Sequence, residues 1–280
     1  SIIGFTQLLE RDASLQSQQQ ERIRIVNRSG EHLLTLINNI LDISKIEAGK
    51  ITLNVSDFDM YAKLDDVTML FDLKTHRKGI KLLLEREPDV PQFVHADDGK
   101  LRQVLTNLIA NGVKFTQVGQ VILSVRVVDS RDLLTSYRRL AFEVKDTGVG
   151  IATQEQNQLF KPFEQTESGR ATLQGTGLGL SISQQFVERM GGQITVESTP
   201  GEGSCFRFQM LVKVVETPTA LFYRNLKVTG IATPQTDYRL LVVDDLPENA
   251  KHLTELLTSV GFSVRQDKHG AAAVAIDRKW

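Results

Sequence analysis

The sequence has 280 residues, of which 41% are hydrophobic, and a formal net charge of -1. This length allows one large domain or two to three small ones with real hydrophobic cores. The balanced charge argues against nucleic acid as a partner, and the single cysteine, Cys205, excludes an internal disulfide and suits the cytoplasm. No apolar run reaches the roughly 20 residues that a membrane-spanning helix needs, so any membrane attachment is expected upstream of this sequence.

The chain opens with the stretch SIIGFTQLLE, in which apolar residues recur at helical spacing. Ile2, Phe5, Leu8 and Leu9 fall on one face of an amphipathic helix. Ser1 alone is available to cap this helix, and no initiator methionine precedes it. We therefore expect the helix to begin further upstream.

A second helical pattern begins at Ile23 and ends near Gly49. Its seam positions are separated alternately by three and four residues, as in a heptad repeat: Ile23, Val26, Gly30, Leu33, Ile37, Ile40 and Ser44. Further apolar residues widen the stripe beyond what one partner helix covers: Leu34, Leu36, Leu41 and Ile43. Residues 1–56 are thus predicted to form a helical hairpin that pairs with a second copy in a dimeric four-helix bundle. Packing of the hairpin on the neighbouring domain of its own chain is the alternative.

Residues 57–216 mix strand and helix patterns. Strands are indicated by alternation, or by β-branched and aromatic content, in the segments IKLLLERE, QVILSVRVV, LAFEVKDTG, QITVEST and SCFRFQMLV. Helical periods fall at about 60–76, 98–112 and 178–190. Grouped strands with helices between them predict an α+β domain with helices on one face of a mixed sheet.

Residues 217–237, bracketed by Pro218 and Pro234, show no clean period and are interpreted as a linker. The stretch RLLVV then predicts a buried strand, followed by a helix over about 247–260 and a short strand SVRQD. Residues 238–280 therefore begin a domain of alternating strands and helices.

Three segments of the middle region carry residues suited to nucleotide chemistry. NLIANGVKFT places Asn107, Asn111 and Lys114 on one face of a helix. DTGVGI puts Asp146 at a strand end, before two glycines that let the backbone approach a ligand. GTGLGLSIS supplies three glycines before a helix, where free backbone N–H groups and the helix dipole favour a phosphate. Each segment alone is weak evidence, but their order is a strong signal.

This order resembles the catalytic and ATP-binding domain of the histidine kinases of bacterial two-component systems. NRSGEHLLTLINNILDISKIEAGK is similar to the second helix of their dimerisation and phosphoacceptor domain, and LFKPFEQ resembles their F-box. LLVVDD resembles the first strand of an attached receiver domain, as in hybrid sensor kinases. The resemblance implies an α/β-sandwich domain shared with DNA gyrase, followed by an incomplete flavodoxin-like receiver.

The resemblance also implies ligands and residue roles. ATP and Mg²⁺ would be bound, with Asn111 as the Mg²⁺ ligand, Lys114 on the phosphates and Asp146 on the adenine amino group. Gly148 and Gly150 would keep the wall beside the adenine thin. Further nucleotide-binding positions are implied in the F-box, which the family uses as a mobile lid, and in the glycine-rich loop: Phe160, Phe163, Gly175, Thr176, Gly177, Leu178 and Gly179.

Asn107 distinguishes phosphoryl transfer from hydrolysis. Gyrase-type ATPases carry a glutamate at the matching place, and its carboxylate activates water, whereas an amide cannot take the proton. With Asn111 and Lys114, Asn107 is therefore implied to form a catalytic site that holds ATP for a histidine nucleophile. None of the five histidines fits that role, so the acceptor is expected upstream of this sequence.

The sequence is thus interpreted as part of a hybrid sensor histidine kinase of a two-component phosphorelay. The phosphoryl group would pass to a receiver aspartate, in cis or in a response regulator, and Asp244 and Asp245 match the acidic pair that binds Mg²⁺ in receivers. A second interpretation is a degenerate ATP-binding scaffold that dimerises without transferring phosphate. A gyrase-type ATPase is the third.

Overall fold

The computed structural model describes residue 6 and residues 17–50, 52–128, 136–166, 169, 176–215, 238–244 and 246–268. The chain divides into two compact units, Ser1–Pro218 and Thr219–Trp280. Within the described ranges, no helix is both long enough and apolar enough to cross a membrane.

The first unit contains a long helix, α1 (Ser17–Glu47). Gly49 follows it with a left-handed φ of 66°, and its N–H donates to the Ile46 carbonyl at 2.9 Å. This closing turn satisfies one of the carbonyls that the helix end leaves without a partner. The helix therefore ends where the sequence predicted.

An apolar stripe of α1 is not covered by the described residues. Six of its side chains are between 46% and 57% exposed: Val26, Leu33, Leu34, Ile37, Ile40 and Leu41. Nearer the C-terminus, Ile43 and Ile46 pack against the core of the following domain. The predicted first helix of the hairpin lies outside the described residues, except for the helical Thr6.

In the described part of the first unit, seven strands form one mixed sheet. They are β1 (Ser56–Asp59), β2 (Lys81–Arg86), β3 (Phe93–Ala96), β4 (Gln120–Val127), β5 (Tyr137–Asp146), β6 (Ile194–Thr199) and β7 (Gly203–Val214). The order is β1-β3-β7-β5-β4-β2, and β6 pairs with the first half of β7. β2 and β4 are parallel, whereas the central pair β5 and β7 is antiparallel, with Asp146 opposite Ser204.

The helices that follow α1 in this unit are α2 (Met60–Met69), α3 (Asp72–Lys78), α4 (Asp98–Phe115), α5 (Thr153–Gln156) and α6 (Gly179–Arg189). α4 and α6 pack together and bury apolar side chains against β5 and β7, where the rings of Phe142 and Phe208 stack with centroids 4.8 Å apart. Each such fully buried side chain contributes roughly 1.5–3 kcal/mol. The core therefore fixes α4, the helix that carries the predicted site residues.

The start of α4 is fixed by a capping carboxylate. Asp97 is 4% exposed, and its side chain accepts the N–H groups of Lys100 at 2.9 Å and Asn54 at 2.8 Å. Such a cap satisfies backbone donors that have no partner within the helix. The segment before β1 is thereby attached to α4.

Two features differ from the sequence prediction. The helix predicted over 60–76 is two helices, α2 and α3, because the chain turns at Leu70 and Phe71 so that Phe71 enters the core. β1 and β3 are additional strands, and their four residues each are too few to show a period of two.

The second unit contains two parallel strands, β8 (Arg239–Val243) and β9 (Ser263–Asp267), joined by α7 (Pro247–Ser259). These elements agree with the predicted strand, helix and strand. Asp244 follows β8, and its side chain accepts the N–H of Leu246 at 2.8 Å. Its predicted partner Asp245 lies outside the described residues.

Candidate active site

A cavity of about 830 Å³ lies beside the C-terminal half of α4. Its walls come from α1, α3 and α4, the segment after β5, residues 164–166 and the start of α6. The cavity brings together eight residues that the sequence singled out: Asn107, Asn111, Lys114, Asp146, Gly150, Thr176, Gly177 and Gly179. Three distant segments of the chain therefore meet at one site.

The polar face of α4 forms one wall of this cavity. Asn107, Asn111 and Lys114 are half-buried, while Leu108 and Val113 of the same helix are fully buried in the core. The spacing of four and three residues puts the three polar side chains on one face. Burial, and then the charge of nearby Lys74, lowers the pKa of Lys114. A neighbouring anion would therefore stabilise the Lys114 ammonium group.

The side chain of Asn107 is held by α6. Its Nδ2 donates to the Ser183 hydroxyl at 2.9 Å, and Ser183 is 2% exposed. This contact turns the amide oxygen towards Gly179, where a Cβ atom would collide with that oxygen. A glycine at 179 thus lets the glycine-rich loop approach α4, and Ser183 was not singled out in the sequence because it lies 76 residues from Asn107.

Asp146 provides a buried carboxylate among the residues that line the cavity. It is 6% exposed, and its Oδ1 accepts the N–H of Gly148 at 2.8 Å. Burial raises the pKa of Asp146, although hydrogen bonds from Gly148 and Ser204 oppose the shift. The carboxylate is therefore fixed in orientation and poorly hydrated, which suits a specific hydrogen bond to a ligand.

The glycines after Asp146 let two backbone segments touch. A Cβ atom at Gly148 would lie 2.6 Å from the Phe115 carbonyl oxygen, and one at Gly150 would collide with the Thr199 carbonyl. Gly150 also has a left-handed φ of 68°. We call Asp146, Gly148 and Gly150 the carboxylate wall.

The F-box segment is joined to the glycine-rich loop by its backbone. The N–H of Phe163 donates to the Gly177 carbonyl at 3.0 Å, and a Cβ atom at Gly177 would lie 2.7 Å from the Phe163 carbonyl carbon. Phe163 has a φ of 66°, which is unusual for a residue other than glycine, and its ring is exposed. Phe160, in contrast, packs against the core.

The remaining predicted loop residues divide by environment. Thr176 lines the cavity, and its hydroxyl accepts the N–H of Leu178 at 3.1 Å. Leu178 is fully buried, so its side chain anchors the loop rather than facing the cavity. Gly175 lies outside the described residues.

The C-terminal end of α4 is held by Lys78 of α3, a residue that the sequence analysis missed. Its ammonium group donates to the carbonyls of Val113, Lys114 and Thr116 at 2.7, 3.0 and 3.1 Å. A cation at this end also complements the helix dipole. Burial, and then the charge of Lys74, lowers the pKa of Lys78.

Comparison with known families identifies this arrangement. Residues 96–214 match the model of the histidine kinase-, DNA gyrase B- and HSP90-like ATPases, and residues 1–49 match the His Kinase A (phospho-acceptor) domain. The chain belongs to the histidine kinases. The predicted ATPase-type fold and helical phosphoacceptor region are thereby confirmed at the level of the family.

Two relatives illustrate the relationship. The chain is 38% identical over 226 residues to hybrid signal transduction histidine kinase B of Dictyostelium discoideum, which covers 80% of this chain and 11% of that protein. It is 36% identical over 285 residues to the virulence sensor protein BvgS of Bordetella bronchiseptica, which covers 99% of this chain and 22% of BvgS. The chain therefore spans less than a quarter of each of these two relatives.

One solved structure aligns with nearly the whole chain. Full-length ShkA in complex with AMPPNP aligns with a TM-score of 0.63 and 27% identity, over 98% of this chain and 53% of ShkA. AMPPNP is the ligand of that protein. The family model that matches residues 96–214 describes ATPases, which supports ATP use by the present histidine kinase.

Proposed function

We propose that this chain binds ATP with Mg²⁺ and supplies the catalytic site of a sensor histidine kinase in a two-component phosphorelay. An imidazole nitrogen of a phosphoacceptor hairpin would attack the γ-phosphorus, the bond to the β-phosphate oxygen would break, and ADP would leave. The imidazole proton would pass to solvent. A receiver aspartate would then take the phosphoryl group from histidine.

The observation that carries this proposal is the amide of Asn107 beside the cavity. Ser183 fixes this amide, and an amide cannot take a proton from an attacking water. A cavity with this residue favours transfer to a separate nucleophile over hydrolysis. The relative named as a hybrid histidine kinase supports the same reaction class.

The other cavity residues fit ATP. Asp146 would accept a hydrogen bond from the adenine amino group, and this contact would favour adenine over guanine. Asn111 would offer its amide oxygen to Mg²⁺, which would neutralise phosphate charge when bound, and Lys114 would contact the phosphates. The described residues contain no group of three or more His, Cys, Asp and Glu side chains arranged to hold a metal by themselves. The phosphates would therefore complete the Mg²⁺ site.

We also propose the arrangement of the chain. Residues 1–56 would form the dimerisation hairpin, 57–216 the catalytic domain, 217–237 the linker and 238–280 the start of a receiver domain with a Mg²⁺ site at Asp244 and Asp245. The uncovered apolar stripe of α1 supports pairing with a second copy. The parallel pair of β8 and β9 supports the receiver.

The test uses the whole polypeptide that carries this sequence. Incubation with γ-labelled ATP and Mg²⁺ should give an acid-labile, base-stable phosphoryl group on histidine, with slow steady release of phosphate. Asn111→Ala should abolish the labelling, whereas Asn39→Ala, at another wall of the cavity, should retain it. Rapid steady hydrolysis without phosphohistidine would favour the ATPase, and ATP binding with neither product would favour the scaffold.

A further inference from the structure

A lysine of α3 lies at the edge of the cavity. Lys74 lines it together with Asn111 and Lys114, although Lys74 lies on a different element. The side chain of Lys74 is exposed, and it makes no hydrogen bond or ion pair with any described residue. We call Lys74 and Lys114 the lysine rim.

The ammonium groups of the lysine rim repel each other. After burial, the charge of Lys74 is the next cause that lowers the pKa of both Lys114 and Lys78, so the three ammonium groups are close enough to interact. The cavity has two acidic side chains, the buried Asp146 and the exposed Glu164, and neither forms an ion pair with Lys74 in the described structure. Lys74 therefore presents a positive charge at the opening of the cavity that Lys114 also lines.

We propose that Lys74 is a second phosphate-binding cation, which selects nucleotides by the number of their phosphates. This inference rests on the proposed ATP site. A phosphate chain supplies several negative charges, and its approach would relieve the repulsion within the lysine rim. Adenosine lacks those charges, so the contribution of Lys74 should rise from adenosine through AMP to ATP.

The exposure of Lys74 determines the size of the effect. A solvated ammonium group acts through a high dielectric constant and is screened by salt, unlike a buried partner. The loss of one such cation should weaken ATP binding by about three- to tenfold at low ionic strength. The same loss should change adenosine binding by less than about twofold, because no charged group of the ligand is involved.

The test compares Lys74→Met with Arg77→Met in the 280-residue chain. Arg77 lies on the same helix, is exposed and does not line the cavity, so both variants remove one positive charge from one element. ATP, ADP, AMP and adenosine are titrated by calorimetry with Mg²⁺ at low and high salt. Lys74→Met should lose affinity in the order ATP, ADP, AMP, and the loss should shrink with salt. Lys74→Arg should retain most of the affinity.

Equal losses in Lys74→Met and Arg77→Met would overturn the inference, since the effect would then be one of net charge. An equal loss for ATP and adenosine would overturn it as well. These results differ from failure of the proposed function, in which the unmodified chain does not bind ATP or binds it without dependence on Asp146. Lys74 is exposed, so its replacement should leave the thermal unfolding midpoint unchanged and the titrations interpretable.

Discussion

The carboxylate wall and the lysine rim differ in burial and in how firmly their charged groups are held. In the carboxylate wall, Asp146 is 6% exposed and its orientation is fixed by a 2.8 Å hydrogen bond from the Gly148 backbone. In the lysine rim, Lys74 is exposed and no described residue fixes its position. The carboxylate wall therefore offers one hydrogen-bond acceptor at a fixed position, whereas the lysine rim offers a positive charge that no described residue holds in place.

This difference assigns specificity and affinity to different residues. A buried acceptor at a fixed position rejects a ligand that has no donor there, because the carboxylate would be left without a partner. Exposed cations attract any phosphate chain, with little regard to the base attached. We expect the carboxylate wall to recognise adenine and the lysine rim to respond to phosphate number.

The largest expected effect comes from the carboxylate wall. Asp146→Asn keeps the size of the side chain but replaces a charged acceptor with a neutral one, which should weaken both ATP and adenosine by about 10- to 100-fold. The free energy of unfolding should not fall, because the variant removes a poorly hydrated charge. Calorimetric titration and urea denaturation measure the two quantities.

Asp65→Asn is the matched control, because Asp65 is an exposed aspartate of α2 outside the cavity. It should leave both affinities unchanged. A loss for ATP but not for adenosine in Asp146→Asn would break the comparison, since Asp146 would then act on the phosphates.

The raised pKa of Asp146 predicts the acid limit of binding. Its ordinary pKa is 3.8, and burial raises this pKa in the folded chain. As the pH is lowered, binding should therefore begin to weaken at a higher pH than it would if this aspartate were exposed. Because the folded state holds this proton more tightly than the unfolded state, the group contributes stability at low pH that is lost as pH rises through the folded pKa. Adenosine titrations across acid pH should show this loss of affinity, and Asp146→Asn should remove the pH dependence. An unchanged pH dependence in the variant would assign the titration to another group.

A smaller effect is expected beneath the lysine rim. Lys78→Met removes the ammonium group that binds three carbonyls at the end of α4, which should lower the free energy of unfolding by about 1–2 kcal/mol. Because Lys114 lies in that last turn, ATP affinity should fall more than adenosine affinity. Urea denaturation and paired titrations measure this, with the exposed Lys81→Met as control. Equal stability of the two variants would show that solvent replaces the Lys78 contacts.

Lys78 also shows where sequence reasoning ends. The helical period predicted α4 and placed Asn107, Asn111 and Lys114 on one face, because those relations lie within one helix. The contact from Lys78 to Val113 joins residues 35 positions apart, so neither periodicity nor a local motif contains it. The same holds for Lys74, whose position depends on how α3 packs beside α4.

For the fold, too, the sequence predicted the long elements better than the short ones. Long strands such as β4 and β7 alternate clearly, whereas β1 and β3 have four residues each and gain their strand conformation from pairing with each other. The break between α2 and α3 contains no glycine or proline, and it arises because Phe71 turns into the core. Tertiary packing thus decided the features that local patterns missed.

The smallest effect is expected at Thr116, next to the carbonyls that Lys78 binds. Its hydroxyl is fully buried and has no hydrogen-bond partner among the described residues. Thr116→Val therefore removes a polar group whose burial is not offset by a hydrogen bond. The free energy of unfolding should stay unchanged or rise by up to about 1 kcal/mol. Thr75→Val is the matched control, since Thr75 is equally buried but its hydroxyl donates to the Phe71 carbonyl at 3.0 Å. That control should lose about 1 kcal/mol in urea denaturation, and a similar loss at Thr116 would mean that its hydroxyl has a partner, such as a buried water.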